Sequence, residues 1–524
     1  MDIQQLIDGL SRPDAYPHPV DAIEVRQTHI SVVFLAGDFV YKLHKPVRLG
    51  FLDFSTPELR KHDCEEEVRL NRRLAPDVYL GVVGVEATAG GLRFREQPTK
   101  AIEWAVKMRR LPDNASVLER LRRGELTGDQ IDRLAEVVAA FHRDAATDGK
   151  VASFGRLDVV ARNARENFTQ SESEVGETVS RAVFERLRDL TESAITQVGP
   201  LVEDRAARGI PRDTHGDLHL DHVYLFPDRP PPGDVVIIDC VEFSERLRYA
   251  DPTADMAFLV MDLKFRGRRD LAGRFADAYF AAADDPEGRR LLPFYTAYRA
   301  AVRGKVEGMT VREPEVAPAD RERFRRLARG HWLLALGELA PCGERPALLL
   351  VAGLPGAGKS TLARGLTPAG FEVIRSDEVR KRLYPATTAA DPEQGSYSTR
   401  ASDAVYAECR RLAETALWEG RRVIVDANFR EEARRGSFLD LASELAVPAC
   451  LIVCRAEPEV IRQRLAARST DVSDADWAVY QWAAARWQDP DADWVGRSIT
   501  VDTTTGVAAA IEAVQARLRA DGLA

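Results

Sequence analysis

The pattern of apolar and polar positions divides this chain into two regimes. From about Ile23 to Lys42, β-prone segments alternate with turns: AIEVRQ is followed by ISVVFLAGDFVYKL, in which Gly37-Asp38 predicts a hairpin. PELRKHDCEEEVRLNRRLAP then has helical periodicity and stops at Pro76, and YLGVVGVEA with GLRFRE predicts two more strands around Gly90-Gly91. From about Ser116 to Ala207 the pattern is mostly helical, through DQIDRLAEVVAAFHRDA and VSRAVFERLRDLTESAI, with the short acidic loop SESEVGET between them. A hairpin-like pair, VYLFPDRPPPGDVVIIDC, precedes more helices from Asp255 to about Leu339, and Pro341, Gly343 and Pro346 punctuate the change. Beyond Ala347 the short apolar runs LLLVAG, FEVIRS, RRVIVDANF, ACLIVCRA and SITVDT alternate with helical stretches, which predicts a parallel sheet of about five strands covered by helices.

These rhythms predict a multidomain α/β and α+β chain, and a length of 524 residues exceeds one ordinary core. The expected division is a domain over residues 1–340, with a strand-rich lobe to about residue 112 and a helical lobe from about 113, and an α/β domain over 345–524. With 45% hydrophobic and 30% charged residues the chain is neither disordered nor fibrous. Its 73 basic and 82 acidic residues give a net charge of -9, which argues against bulk coating of nucleic acid but leaves room for a local arginine-lined cleft. Six cysteines without CxxC spacing point to a reduced, cytoplasmic protein. The N-terminus MDIQQLIDGLSRPDAYPHP lacks the basic start and apolar core of a secretion signal, and no membrane partner is expected.

Candidate chemistry concentrates in two places. The run LLLVAGLPGAGKSTLARGL satisfies G-x-x-x-x-G-K-[ST] between a strand and a helix. Gly353, Gly356 and Gly358, with Ala357 between the last two, let the backbone curl so that its amides converge on phosphate oxygens. Lys359 can reach the β and γ phosphates of ATP, Ser360 offers an oxygen to magnesium, and Thr361 closes the motif. Just beyond the next strand, Asp377 can orient or deprotonate an acceptor hydroxyl and Arg380 can hold an anionic acceptor; alternatively Asp377 caps the helix EVRKRL. Asp426, ending VIVDANF, is a second magnesium candidate, while Arg430 and Arg434 are either phosphate contacts or a solvated helical face. Arg464 and Arg468, four apart, project from one helical face as a lid over the triphosphate or as a surface charge row.

The second place is RDTHGDLHLDHVYLF. Asp217 can accept or orient a hydroxyl proton, and Asp239 at the end of VVIIDC suits the magnesium that bridges phosphates. His215, His219 and His222 raise a zinc reading, but the HExxH helix or cysteine pair that would support it is missing, and His215 suits a loop brace better.

GLPGAGKST, RSDEVRKRL, VIVDANF and RQRLAARS together resemble the zeta-toxin, polynucleotide-kinase and gluconate-kinase-like group of P-loop kinases. HGDLH and IIDC resemble the catalytic loop and metal-binding strand of the aminoglycoside-phosphotransferase branch of the protein-kinase-like fold, as found in bacterial fusions of such a domain to a P-loop kinase. That resemblance implies a bilobal N-terminal domain in which Lys42 of FVYKL pairs with a glutamate of DCEEEVRL, Glu66 being preferred over Glu65 and Glu67, and in which Met108 lines the adenine pocket. His222 stands where the family carries an asparagine metal ligand. Either Asp221 takes over, or one metal suffices, or the module binds nucleotide as a regulator. The resemblance implies an ATP- and Mg2+-dependent phosphotransferase acting on a hydroxyl of a small polar metabolite, sugar or antibiotic. A 5'-hydroxyl nucleic-acid end is the alternative acceptor, and no obligate protein partner is expected.

Overall fold

The computed structural model describes residues 2–28, 30–49, 52–313, 316–385, 398–467 and 476–524. By compactness the chain forms two units, one of residues 1–160, 198–263 and 269–292, the other of residues 161–197, 264–268 and 293–524.

In the first unit a six-stranded antiparallel sheet runs in the order Ile23–Gln27, Ser31–Ala36, Phe39–His44, Glu103–Arg109, Tyr79–Thr88, Gly91–Arg95. Gly37 turns the expected hairpin at φ +62°, a left-handed conformation that favours glycine. Against the sheet lies the helix Pro57–Asn71, started by Thr56, whose hydroxyl accepts from the Leu59 amide, and by Pro57 at its first position. Its buried face is unusually polar: Arg60, Asp63, Cys64, Glu67, Val68 and Asn71 repeat at three- and four-residue intervals. Arg60 is held there by a bidentate pair to Glu103 at 2.9 and 2.6 Å, so ionic pairing takes much of the place of an apolar stripe.

The helical part of this unit is built on Gly128–Asp144 and Arg269–Ala283, whose Ile131, Leu134, Val138, Phe275 and Tyr279 share one core. The helix Pro252–Phe265 belongs to the same core through Met256, Leu259, Val260 and Leu263. Two aspartates on it, Asp255 and Asp262, are nonetheless buried, and their spacing of seven residues sets both on one side.

The second unit contains a five-stranded, all-parallel sheet in the order Phe371–Arg375, Arg422–Asp426, Ala347–Gly353, Ala449–Arg455, Ser498–Asp502. The five apolar runs of the sequence are these strands, and all seven residues of the central one are buried, as expected of a strand covered on both faces. Helices of residues 161–197 and 293–340 pack in this unit as well. Trp332, fully buried, lies near Phe168 and Phe184, Arg329 stacks on Trp418 at 4.6 Å, and His331 stacks on Phe265 at 3.7 Å. Compactness and sequence pattern therefore divide the chain differently: Pro341 and Gly343 mark a change of rhythm, whereas the packing follows the aromatic contacts. No described helix is long and apolar enough to cross a membrane.

Candidate active sites

In the first unit, strand Phe39–His44 carries Lys42, whose mostly buried side chain sets its ammonium 3.0 Å from Glu67 and 3.0 Å from Asp239. The expected partner Glu66 is instead rotated about 100° around the helix, paired with Arg69 at 2.7 Å on the outer face. The correction follows from helical phase, because Glu67 shares the buried face with Cys64 and Val68. Burial opposes the charge on Lys42, but Asp239 and Glu67 outweigh it and hold its pKa well above the ordinary value. Burial likewise opposes ionisation of Asp239, yet Lys42 and His222 keep that carboxyl below the usual range.

Asp239 adopts φ +64°, strained for a non-glycine residue, and the turn is secured by its amide donating to the Tyr79 hydroxyl at 3.1 Å and by the Cys240 amide donating to Asn71 at 2.8 Å. The HGD segment is fixed from below. Asp255 accepts from the amides of His215 at 3.1 Å and Gly216 at 2.8 Å, and Asp262 accepts from the Leu220 amide at 3.1 Å. His142 donates from Nε2 to Asp255 at 3.0 Å while its Nδ1 accepts from Tyr279 at 2.7 Å. These anchors were missed as such from sequence. The available signal was a pair of aspartates seven apart inside the apolar run DMAFLVMDL.

His215 is fully buried, donates from Nε2 to the Ile238 carbonyl at 2.9 Å and accepts at Nδ1 from the Asp217 amide at 3.3 Å, so both ring nitrogens act as a loop brace. Burial pushes its pKa down to about 4. His222 donates from Nδ1 to the Asp217 carbonyl at 2.9 Å and turns Nε2 toward Asp239 at 3.5 Å, with burial and then His219 lowering its pKa. Asp217, Asp239 and His222 are thus brought together as the sequence expects. Met108 is buried beside Val68, Tyr79, Val106 and Val236, an apolar patch suited to a base.

A further group of polar atoms lies beside Lys42. His44, on the same strand, is buried with Nε2 3.1 Å from Asp63 and 3.6 Å from Glu67. Burial and then Lys42 push the His44 pKa down to about 3, while burial and then Glu67 push Asp63 up to about 7.

In the second unit the phosphate loop has the geometry its motif demands. Gly353 stands at φ +143°, where a Cβ would lie 2.5 Å from the Cys454 carbonyl, and Gly358 begins the helix Lys359–Gly365 at φ +83°. Lys359 donates to the Leu354 carbonyl at 3.0 Å. Asp426 is buried and hydrogen-bonded to Ser360; burial pushes its carboxyl up, with Lys359 and Ser360 acting in the opposite direction. Arg375 donates to Ser360 Oγ at 3.3 Å and lies 3.6 Å from Asp426. A buried carboxylate beside a hydroxyl is an oxygen donor set that fits magnesium.

The phosphate loop opens into a cavity of about 530 Å³, lined by Gly356, Gly358, Lys359, Ser360 and Thr361 on one side and by Asp377, Arg380, Tyr406, Asn428 and Trp482 on the other, with Arg364, Arg430, Arg434 and Arg486 around it. Asp377 lies in the first turn of helix Ser376–Leu383 and lines this cavity, and Ala357 is buried. Arg430 stacks on Trp482 at 4.0 Å and pairs with Glu431, and Arg434 stacks on Tyr406 at 4.4 Å and pairs with Glu431 at 3.0 Å and Asp403 at 3.2 Å. Tyr406 donates to Asn428 at 2.7 Å, and burial pushes its hydroxyl up to about 12. Arg464 is not in the lining. It donates to the Gly356 carbonyl at 3.4 Å and to the hydroxyl and carbonyl of Thr503, which braces the phosphate loop where a triphosphate lid was expected. Arg468 lies outside the described residues. Trp482, Arg486, Tyr406 and Asn428 were not foreseen, because only the fold brings three separate segments to one rim.

The phosphotransferase enzyme family matches residues 38–292, and the AAA domain family matches residues 348–490. Uncharacterized proteins of Mycobacterium tuberculosis and Mycobacterium bovis are 35% identical over 487 residues, 91% of this chain and 92% of theirs. Among solved structures, a gluconokinase from Sinorhizobium meliloti is similar at 16% identity over 34% of this chain and 94% of its own, with a TM-score of 0.25. A choline/ethanolamine kinase family protein from Mesorhizobium loti is similar at 14% identity over 64% of this chain and 94% of its own, with a TM-score of 0.37.

Proposed function

We propose, for a chain that belongs to the family of these mycobacterial proteins and joins a phosphotransferase-type domain to a P-loop domain, that it transfers the γ-phosphoryl group of ATP to a hydroxyl of a small, polar, anionic acceptor. The two modules are residues 1–340 and 345–524, and the C-terminal one carries this transfer in the manner of the zeta-toxin and polynucleotide-kinase-like group. The observation that supports the reading is the cavity of about 530 Å³ that runs from the phosphate loop to Asp377 and Arg380, a size suited to a metabolite.

The loop amides and Lys359 hold the β and γ phosphates, and Asp377 takes the proton of the attacking hydroxyl. Arg380, Arg430 and Arg434 hold the acceptor's anionic group and fix its orientation, since planar guanidinium forks match carboxylates and phosphates. Magnesium, held by Ser360 and Asp426, neutralises phosphate charge when bound. In the N-terminal module Asp217 plays the proton-accepting part and Asp239 with His222 forms the metal side.

Two features favour second readings. Trp482 between Arg430 and Arg486 is a stacking platform that suits a 5'-hydroxyl nucleic-acid end. An imidazole at position 222 is a poor magnesium ligand, which suits an N-terminal module that binds nucleotide as a regulator.

An acceptor panel of sugars, sugar acids, sugar phosphates, aminoglycosides and a 5'-hydroxyl oligonucleotide, run on the intact protein and on Lys359→Ala and Asp217→Asn, tests all three. Transfer to an anionic small acceptor that is lost with Lys359→Ala is the expected result. Transfer only to the oligonucleotide selects the nucleic-acid reading, and activity unchanged in both variants overturns both site assignments.

A further inference from the structure

Beside the Lys42–Glu67 pair, ligand-type atoms of His44, Glu67 and Glu242 converge, with Asp63 against His44. His44 Nε2 lies 3.1 Å from Asp63 Oδ2 and 3.6 Å from Glu67 Oε2. Ligand atoms of His44, Glu67 and Glu242 all fall within 4.8 Å of one another. None of His44 Nε2, Asp63 Oδ2 and Glu67 Oε2 has a hydrogen-bond partner, although all three atoms are buried and the His44 and Glu67 side chains are fully so. Such atoms are costly to bury unless something binds them.

The neighbouring charges do not supply what is missing. Lys42 is engaged on the other oxygen of Glu67 and on Asp239, and Arg60 is engaged on Glu103. Asp63, Glu67 and Glu242 share that one ammonium with Asp239, and burial pushes the carboxyls of all three up, so the empty site holds protons that a cation displaces. The far side of the imidazole is already oriented, with Nδ1 3.4 Å from the buried Ser31 hydroxyl.

We propose that His44, Asp63, Glu67 and Glu242 form a structural zinc site that ties strand Phe39–His44, helix Pro57–Asn71 and the segment after Asp239 together beside the nucleotide cleft. Two separations match the spacing of ligands around tetrahedral zinc, about 3.3 Å for bonds of about 2.0 Å. One imidazole with three carboxylates suits zinc, whereas magnesium and calcium take oxygen alone. Bound there through Oε2, the ion leaves Oε1 of Glu67 to Lys42 and fixes its direction.

The test uses the full-length protein, purified without immobilised metal. Plasma mass spectrometry and competition against a chromophoric chelator are expected to give about one tightly held zinc per chain. His44→Gln and Glu242→Gln each weaken it by at least ~10-fold, whereas His219→Gln, in the separate Asp217–His219–His222 group, leaves it unchanged. X-ray absorption of the zinc-loaded wild type is expected to give a nitrogen and oxygen shell with one imidazole. Wild-type protein that melts cooperatively yet takes up no added zinc, zinc that is lost with His219→Gln, or a shell containing sulfur each overturns the proposal. Because the wild-type measurements stand alone, a variant that fails to fold does not shield it.

Discussion

At Lys42 the ammonium is already paired with two carboxylates at 3.0 Å, whereas at Lys359 it donates to a backbone carbonyl at 3.0 Å and faces a rim of guanidinium groups. The N-terminal group is thus assembled from opposite charges in direct contact, and the C-terminal cavity is rimmed by arginines, of which Arg430 and Arg434 pair with Glu431 and Asp403 outside the lining. Histidine follows the same division: all nine histidines precede residue 345. A group built on internal pairs is sensitive to loss of one partner and to pH, because each removal leaves a buried charge. A cavity built on arginines is sensitive to salt and to the charge of what enters it.

The largest expected effect tests whether the C-terminal cavity does chemistry as well as binding. Asp377→Asn should lower kcat for acceptor phosphorylation by ~10³-fold, about 4 kcal/mol, with little change in the KM for ATP; an unchanged kcat would reduce Asp377 to a helix-start residue. Next, Glu67→Gln should cost the N-terminal unit ~3 kcal/mol in chemical denaturation and weaken its nucleotide binding, since it removes one of the two carboxylates that hold the buried Lys42 ammonium. Glu66→Gln should stay within ~0.5 kcal/mol, as expected of a pair on the outer face. Equal effects of the two would undo the assignment of the buried partner.

Acid should then separate the modules. His215 is held neutral, with its pKa pushed down to about 4 from 6.5. Between those values the unfolded chain binds a proton there that the folded one refuses, so stability is present above pH 6.5 and is lost as pH falls toward 4. The His215 share of this, ~2 kcal/mol, is expected as the difference between wild type and His215→Asn in the melting of the N-terminal unit from pH 7 to 4.5, because Asp63, raised to about 7, acts in the opposite direction in both. The smallest effect sharpens the anion argument: Arg434→Ala should raise the acceptor KM about tenfold, ~1.4 kcal/mol, with kcat nearly kept, and Arg434→Lys should restore little of it. A neutral acceptor that binds equally well to wild type and variant would remove the case for an anionic substrate.

Much of this was legible in the chain because it depends on local backbone demands. GLPGAGKST encodes its loop through glycines that must reach positive φ, and the five apolar runs encode a sheet buried on both faces. Asp217, Asp239, Lys42 and the phosphate loop could be named for the same reason: each sits at a strand end or tight turn with a fixed relation to its neighbours. Among three adjacent glutamates, by contrast, adjacency gave no choice. Helical phase did, since Glu67 follows Cys64 by three residues and falls on the buried side.

By itself the sequence determined two motif-bearing segments, the kind of sheet around each, and their order along the chain, because short-range spacing dictates turns, strands and helix starts. Only the tertiary structure decided that Asp255 and Asp262 carry the HGD loop, that Arg464 braces the phosphate loop, that Trp482 and Tyr406 share a rim with Asp377, and that His44 faces three carboxylates. Each of these joins residues far apart in the chain, and which side chains meet across such distances is set by how helices and sheets pack, a property no local pattern contains.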